Sequence, residues 1–427
     1  MKGRIMKTKP LWVGAVVLAL VGGIGAALLM WRPAIAPADA QSPFDSSQVH
    51  RGARVAEAGD CAVCHTRPGG QYLAGGLALV TPFGTLYSTN ITPDIETGIG
   101  QWSLPAFQRA MREGVSRDGH LLYPAFPYAY YRRMTDEDIA DVYAYLMSGP
   151  AVHAPAVQNR MNFPMNIRPL VSFWNLLFLH QQPLTPVAQQ SATWNRGRYL
   201  VEGPGHCGGC HSPLNPLGAE KSNQHLAGGH VDGWEAPSLL GMASRRTFPW
   251  SSAQLARYLR AEVVEGHGTA AGPMRPVSLS LTNMPASDAD AIAEYLLSLK
   301  APAPSPVAPS IKPPSEVIGQ TPGPLLFQSA CAGCHGPAAP MRQIDGRPAL
   351  DRTSALHATS ARNFLKTVLE GVPATPGRPG PSMPPFAASL DNHQLAALAG
   401  FLREQAKPGQ PWADLSSTID ELRQEAQ

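Results

Sequence analysis

The chain is 427 residues long, 44% hydrophobic and 15% charged, with 43 Pro and 40 Gly. That much Pro and Gly excludes long helical bundles and favours two to four domains of short helices joined by long irregular loops. The formal charge of +3 gathers at the start, where Lys2, Arg4, Lys7, Lys9 and Arg32 outnumber Asp39; the remainder is near neutral and offers no basic footprint for nucleic acid.

In chain order, the basic start is followed by an uninterrupted apolar run from Leu11 to Trp31 and then by Ala38-Asp39-Ala40, a small-x-small pattern. Residues 1–40 therefore read as a secretory signal peptide. The run is also long enough to cross a bilayer, so an uncleaved membrane anchor is the alternative. Either reading places the rest of the chain outside the cytoplasm.

Beyond this segment one pattern is met three times. Residues 45–150, 191–300 and 324–406 each open with a short helix-like run: Ser47–Glu57, Trp194–Glu202 and Pro324–Gln328. Each closes with an amphipathic helix ending in an aromatic-Leu pair, namely Thr135–Leu146, Ser287–Leu296 and Leu390–Leu402. Thr135, Ser287 and Asp391 are the expected caps, and the early acids suit the helix dipole. Between these ends the first two repeats share Leu73-Ala74-Gly75-Gly76 with Leu226-Ala227-Gly228-Gly229, and Trp102-Ser103 with Trp250-Ser251. Each Trp-Ser pair precedes a predicted helix, over 104–114 and 253–266. The indoles are read either as partners for a cofactor carboxylate or as plain core packing.

Residues 151–190 connect the first two repeats through the apolar stretch Asn162–Leu179, which either packs on its own domain or faces a membrane or a partner subunit. Residues 301–323 form a Pro-rich linker that favours extended polyproline structure. Residues 407–427 form a tail helix with an apolar stripe of Trp412, Leu415, Ile419 and Leu422. Docking on the protein's own surface is the expected use of that stripe, and capture by a partner is the alternative.

Each opening run ends on the same motif. Cys61, Cys64 and His65, then Cys207, Cys210 and His211, then Cys331, Cys334 and His335 make three CxxCH units that use all six cysteines. Two thiols three positions apart lie on one helical face and match the two vinyl groups of one porphyrin, while the adjacent His meets the iron. A zinc knuckle needs a fourth ligand that no unit supplies nearby. A thioredoxin-like redox pair needs a βαβ setting that is missing here. The sequence therefore predicts three covalently bound haem c groups, with iron held by His65, His211 and His335.

A thioether before each closing helix would complete the iron sphere and raise its potential. Met383 is the candidate in the third repeat. In the second it is Met274, with Met284 as competitor. In the first, the matching stretch Tyr123-Pro124-Ala125-Phe126-Pro127-Tyr128 carries Phe126, which cannot ligate. Met134 is taken there, with Met111, His120 and an open five-coordinate iron as alternatives.

Asn90-Ile91-Thr92-Pro93-Asp94, Gly98-Ile99-Gly100-Gln101-Trp102-Ser103 and the Tyr123–Tyr128 stretch, together with the three CxxCH units, resemble the trihaem cytochrome c subunit of bacterial membrane-bound dehydrogenases. The resemblance spans about 45–405. It implies a mainly α fold of three consecutive cytochrome c domains with long loops. It also implies a periplasmic subunit at the outer face of the cytoplasmic membrane. Such a subunit takes electrons from a quinoprotein, flavoprotein or molybdenum hydroxylase partner and passes them to ubiquinone or a terminal oxidase. Members with Met in place of Phe126 would ligate iron there, so this chain departs from the pattern. The sequence carries no glycine fingerprint for a dinucleotide and no nucleophile elbow, so no catalytic residue is expected. A peroxidase-like enzyme with one open haem and a free electron shuttle are the rival readings.

Overall fold

A computed structural model describes residues 32–38, 43–180, 182–245, 248–301, 322–340, 350–374 and 382–425. Most of the expected signal or anchor segment and nearly all of the Pro-rich linker lie outside the described residues. Among the described residues no helix is long and apolar enough to cross a membrane.

The three repeats share one construction. An opening helix, Ser46–Ala58, Ala192–Glu202 or Gly323–Leu326, leads toward the cysteine motif, and a closing helix crosses it. The third opening helix widens at Phe327–Cys331 into a π turn before Ala332–His335. The closing helices are Asp136–Met147, Ala286–Ser298 and Asn392–Ala406. At each crossing stands a glycine. A Cβ on Gly52 would lie 1.8 Å from the Asp141 carbonyl oxygen, and one on Gly197 would lie 1.9 Å from that of Ala291. On Gly323 it would lie 2.6 Å from that of Ala397. The Cβ atoms of Tyr145, Tyr295 and Phe401, one turn further on, meet the same glycines. Only a residue without a side chain lets the two backbones approach this closely. Bidentate ion pairs clamp the first two crossings: Arg51 to buried Asp141 at 2.7 and 3.1 Å, and Arg196 to Asp288 at 2.8 and 3.0 Å.

The middle helices follow the Trp-Ser pairs. Ser103 caps Leu104–Glu113 by accepting from the Ala106 amide, and Ser251 forms a capping box with Gln254 at the start of Ser252–Leu259. The first ends as expected on left-handed Gly114. The second stops at Leu259, short of 266, because Ala261 turns the chain at φ 58°. Thr135 and Asp391 cap their closing helices as expected. Ser287 does not: Pro285 sets the entry to Ala286–Ser298 without a side-chain cap, and Ser287 falls inside the first turn.

Short strands, absent from the sequence reading, brace the loops after the first two motifs. Ala78–Thr81 pairs antiparallel with Gly84–Tyr87, and Gly229–Val231 pairs with Trp234–Ala236.

The chain up to Leu184 forms one compact unit; the chain from Thr185 forms a second, with which Glu57–Asp60 are grouped. In the first unit the connecting segment packs on its own domain. Tyr123 donates to the Met165 carbonyl at 2.8 Å, Tyr128 donates to Asn175 at 2.7 Å, and Val171 is buried against Val115 and Leu121. The other side of this segment leaves Phe163 80% and Leu176 and Leu177 each 57% exposed. In the second unit the two repeats are joined despite the expected linker. Asn363 and Glu235 exchange hydrogen bonds of 2.9 and 2.7 Å through the Glu235 backbone. The tail stripe docks on its own surface: Trp412, Ile419 and Leu422 are buried in the third core with Phe364 and Leu398.

Candidate cofactor sites

The first two motifs are held by matching backbone contacts. Leu73 and Leu226 both adopt a left-handed conformation, and their amides are taken by the Thr66 and Ser212 hydroxyls at 3.0 and 2.9 Å. Two residues on, the amides of Gly75 and Gly228 donate to the carbonyls of His65 and His211, each at 2.7 Å. The shared Leu-Ala-Gly-Gly sequence thus acts as a strap across the motif helix.

The same loops orient the imidazoles. His65 Nδ1 lies 2.6 Å from the Thr89 carbonyl, and His211 Nδ1 lies 2.7 Å from that of Pro237. A carbonyl only accepts, so Nδ1 carries the proton and Nε2 keeps its lone pair for a metal. Both imidazoles are half-exposed at their surfaces but enclosed by protein at longer range. Burial lowers their pKa despite the hydrogen bond, which keeps them in the neutral form that ligates iron. The acceptors Thr89 and Pro237 had no signature in the sequence.

In the second unit a cavity of about 510 Å³ takes in Cys207, Cys210 and His211 together with Cys331, Cys334 and His335. Its walls are largely apolar, and Met274 and Met383 both line it. Met383 is fixed by paired backbone bonds with Val372, at 2.9 and 2.8 Å. Met284 is absent from the wall: it is 5% exposed and packs in the core of the second repeat. Trp250, on the same wall, stacks on His267 with ring centroids 3.5 Å apart, and Arg245 brings a guanidinium beside them. The thiol pairs, the histidines beside them and the largely apolar cavity with a cation at its wall fit haem c.

In the first unit the counterpart stretch enters the short helix Tyr128–Tyr131. By the Pro-flanked motif the place of Met274 falls to Phe126, and by the helix start it falls to Tyr128; neither carries sulfur. Met134 is 1% exposed and immediately precedes the cap of its closing helix.

The comparisons with known proteins agree with this geometry. The family described as "Cytochrome c" matches residues 49–150 and 195–300, and the one described as "Cytochrome C oxidase, cbb3-type, subunit III" matches 320–402. The chain is 47% identical to a subunit of the nicotinate dehydrogenase of Pseudomonas putida, over 96% of this chain and 35% of that protein. It thus spans about a third of that relative's length. It is 34% identical to the fructose dehydrogenase cytochrome subunit of Gluconobacter japonicus, over 86% of this chain and 80% of the other. It is 35% identical to the gluconate 2-dehydrogenase cytochrome c subunit of Pantoea cypripedii, over 85% and 87%.

Proposed function

Because the chain belongs to the family of cytochrome c subunits of dehydrogenases, electron-transfer components distinct from the catalytic subunits, we propose that it carries three haems and relays electrons from a catalytic dehydrogenase subunit to ubiquinone or a terminal oxidase. The observation that carries this reading is the threefold recurrence of one device, in which a glycine-crossed helix pair presents Cys-x-x-Cys-His. When bound, haem supplies a one-electron iron couple at each motif. The cysteines would tether it and His65, His211 and His335 would hold its iron, with Met274 and Met383 as the sulfur ligands in the second unit, where the largely apolar cavity walls would limit access of water. The opening of both attachment motifs onto one cavity supports transfer between them.

The donor is a quinoprotein, flavoprotein or molybdenum hydroxylase. The 47% identity to a nicotinate dehydrogenase subunit favours a donor of that type. The site of action is the periplasm, at the outer face of the cytoplasmic membrane. Exposed Phe163, Leu176 and Leu177 support membrane contact, as does the lack of any Asp or Glu between Asp141 and Glu202.

The test is reduction of the haem-loaded chain by the dehydrogenase encoded beside it, given that enzyme's substrate. Reduction of all three haems, followed by reoxidation with a ubiquinone analogue, is the expected result. Reduction only by small chemical reductants would overturn the reading.

A further inference from the structure

The first and second repeats match in spacing and hydrogen bonding from the middle helix to the start of the closing helix. Trp102-Ser103 and Trp250-Ser251 open the middle helices, and both serines cap the third amide that follows. Eight residues after each capping serine stand Met111 and Leu259, and the next residues are Arg112 and Arg260. Arg112 Nη2 donates to the Met134 carbonyl at 3.1 Å, and Arg260 Nη1 donates to the Met284 carbonyl at 3.2 Å. The Met134 and Met284 amides also bond the carbonyls three residues back, on Tyr131 and Leu281. This pins two correspondences: Met134 with Met284, and Met111 with Leu259.

These correspondences divide the first repeat's methionines. Met284 lies off the cavity, whereas Leu259, like Met274, lines it. Met134 therefore corresponds to a core position, and Met111 to the cavity-lining position of Leu259. Met111 lies on the buried face of its helix at 6% exposure, and Leu259 is 5% exposed. The preceding residue changes in the matching sense. Tyr258, on the cavity wall, becomes Ala110, which removes a ring beside the place where a longer, unbranched thioether replaces Leu. Where the loop loses its sulfur to Phe126 and Tyr128, the helix gains one.

We propose that Met111, in place of Met134, supplies the sixth ligand of the iron held by His65. The inference rests on the reading that the first CxxCH unit carries haem, which counting haems in each variant checks separately. Met111→Leu installs the residue that the second repeat already tolerates, so it keeps the fold. In the haem-loaded full chain this substitution should leave the haem count unchanged. It should convert one haem to high spin by electron paramagnetic resonance and create one carbon monoxide site per chain in the ferrous protein, against none before. Adding Phe126→Met to that variant should return the haem to low spin. Met134→Leu should leave the axial signals intact. The proposal is overturned if Met134→Leu removes a thioether signal while Met111→Leu does not. It is equally overturned if the unsubstituted protein already holds a high-spin haem that binds carbon monoxide.

Discussion

At the scale of single residues, sulfur and imidazole placement define the sites, and one further group sets a dependence on pH. His225 bridges two carboxylates, with Nε2 2.7 Å from Glu202 and Nδ1 against Glu220, and Tyr295 donates to Glu202 at 2.9 Å. Burial alone would lower its pKa, but the hydrogen bonds and charges of Glu202 and Glu220 outweigh that and raise it from 6.5 to about 9. A folded-state pKa above the unfolded one stabilises fully below the unfolded value and loses its contribution as pH rises through the folded value. The urea midpoint of the protein should therefore fall between pH 6.5 and 9 relative to His225→Gln, and the two should converge at higher pH. Parallel curves across that range would remove His225 from the account. Nothing in the sequence flagged this triad, because Glu202, Glu220 and His225 are brought together only by the strap loop. The CxxCH residues were legible because their chemistry is local. The sixth ligands were less so, since reaching the iron depends on which face of a helix or loop turns inward.

At the scale of elements, the crossing glycines carry most of the specification. Ala is preferred to Gly inside a helix by about 1 kcal/mol, so Gly197→Ala would stabilise an isolated helix. Here the added Cβ meets a backbone carbonyl 1.9 Å away and the Tyr295 Cβ 3.0 Å away, neither of which yields without shifting the closing helix. Overpacking outweighs propensity, and a net loss of at least about 2 kcal/mol is expected in urea unfolding of the haem-loaded protein. A stabilised variant would mean that the crossing is looser than described. The closing helices were legible from their aromatic-Leu endings and, for the first and third, from the caps Thr135 and Asp391, whereas the crossing was not: glycine in a helix-like run reads first as a weakness. The tail helix was legible as a stripe, and its docking on the third core follows from the burial of Trp412, whose indole also donates to the Ala358 carbonyl at 3.0 Å.

At the scale of the molecule, the sequence marked three repeats, while the structure groups the second and third in one unit. The Pro-rich composition of 301–323 suggested separation. It gave no hint that the Asn363 amide would pair with the backbone of Glu235, or that Lys366 would sit 5.5 Å from the ring centroid of Trp234. Asn363→Ala removes both hydrogen bonds and leaves the Glu235 amide and carbonyl to find water, at about 1 kcal/mol for each bond. The second and third repeats should unfold in one transition in the unsubstituted protein and split into two in Asn363→Ala combined with Lys366→Ala, as followed by the haem absorbance of each. A single transition in both would place the coupling elsewhere. The central claim, that three repeats of one device each carry a covalent haem, is tested most directly by counting haems per chain in alkaline pyridine. The unsubstituted protein should hold three, and paired Cys→Ser substitution of any one motif should leave two. Fewer than three, or a Cys61→Ser/Cys64→Ser variant with an unchanged count, would contradict the account at its base.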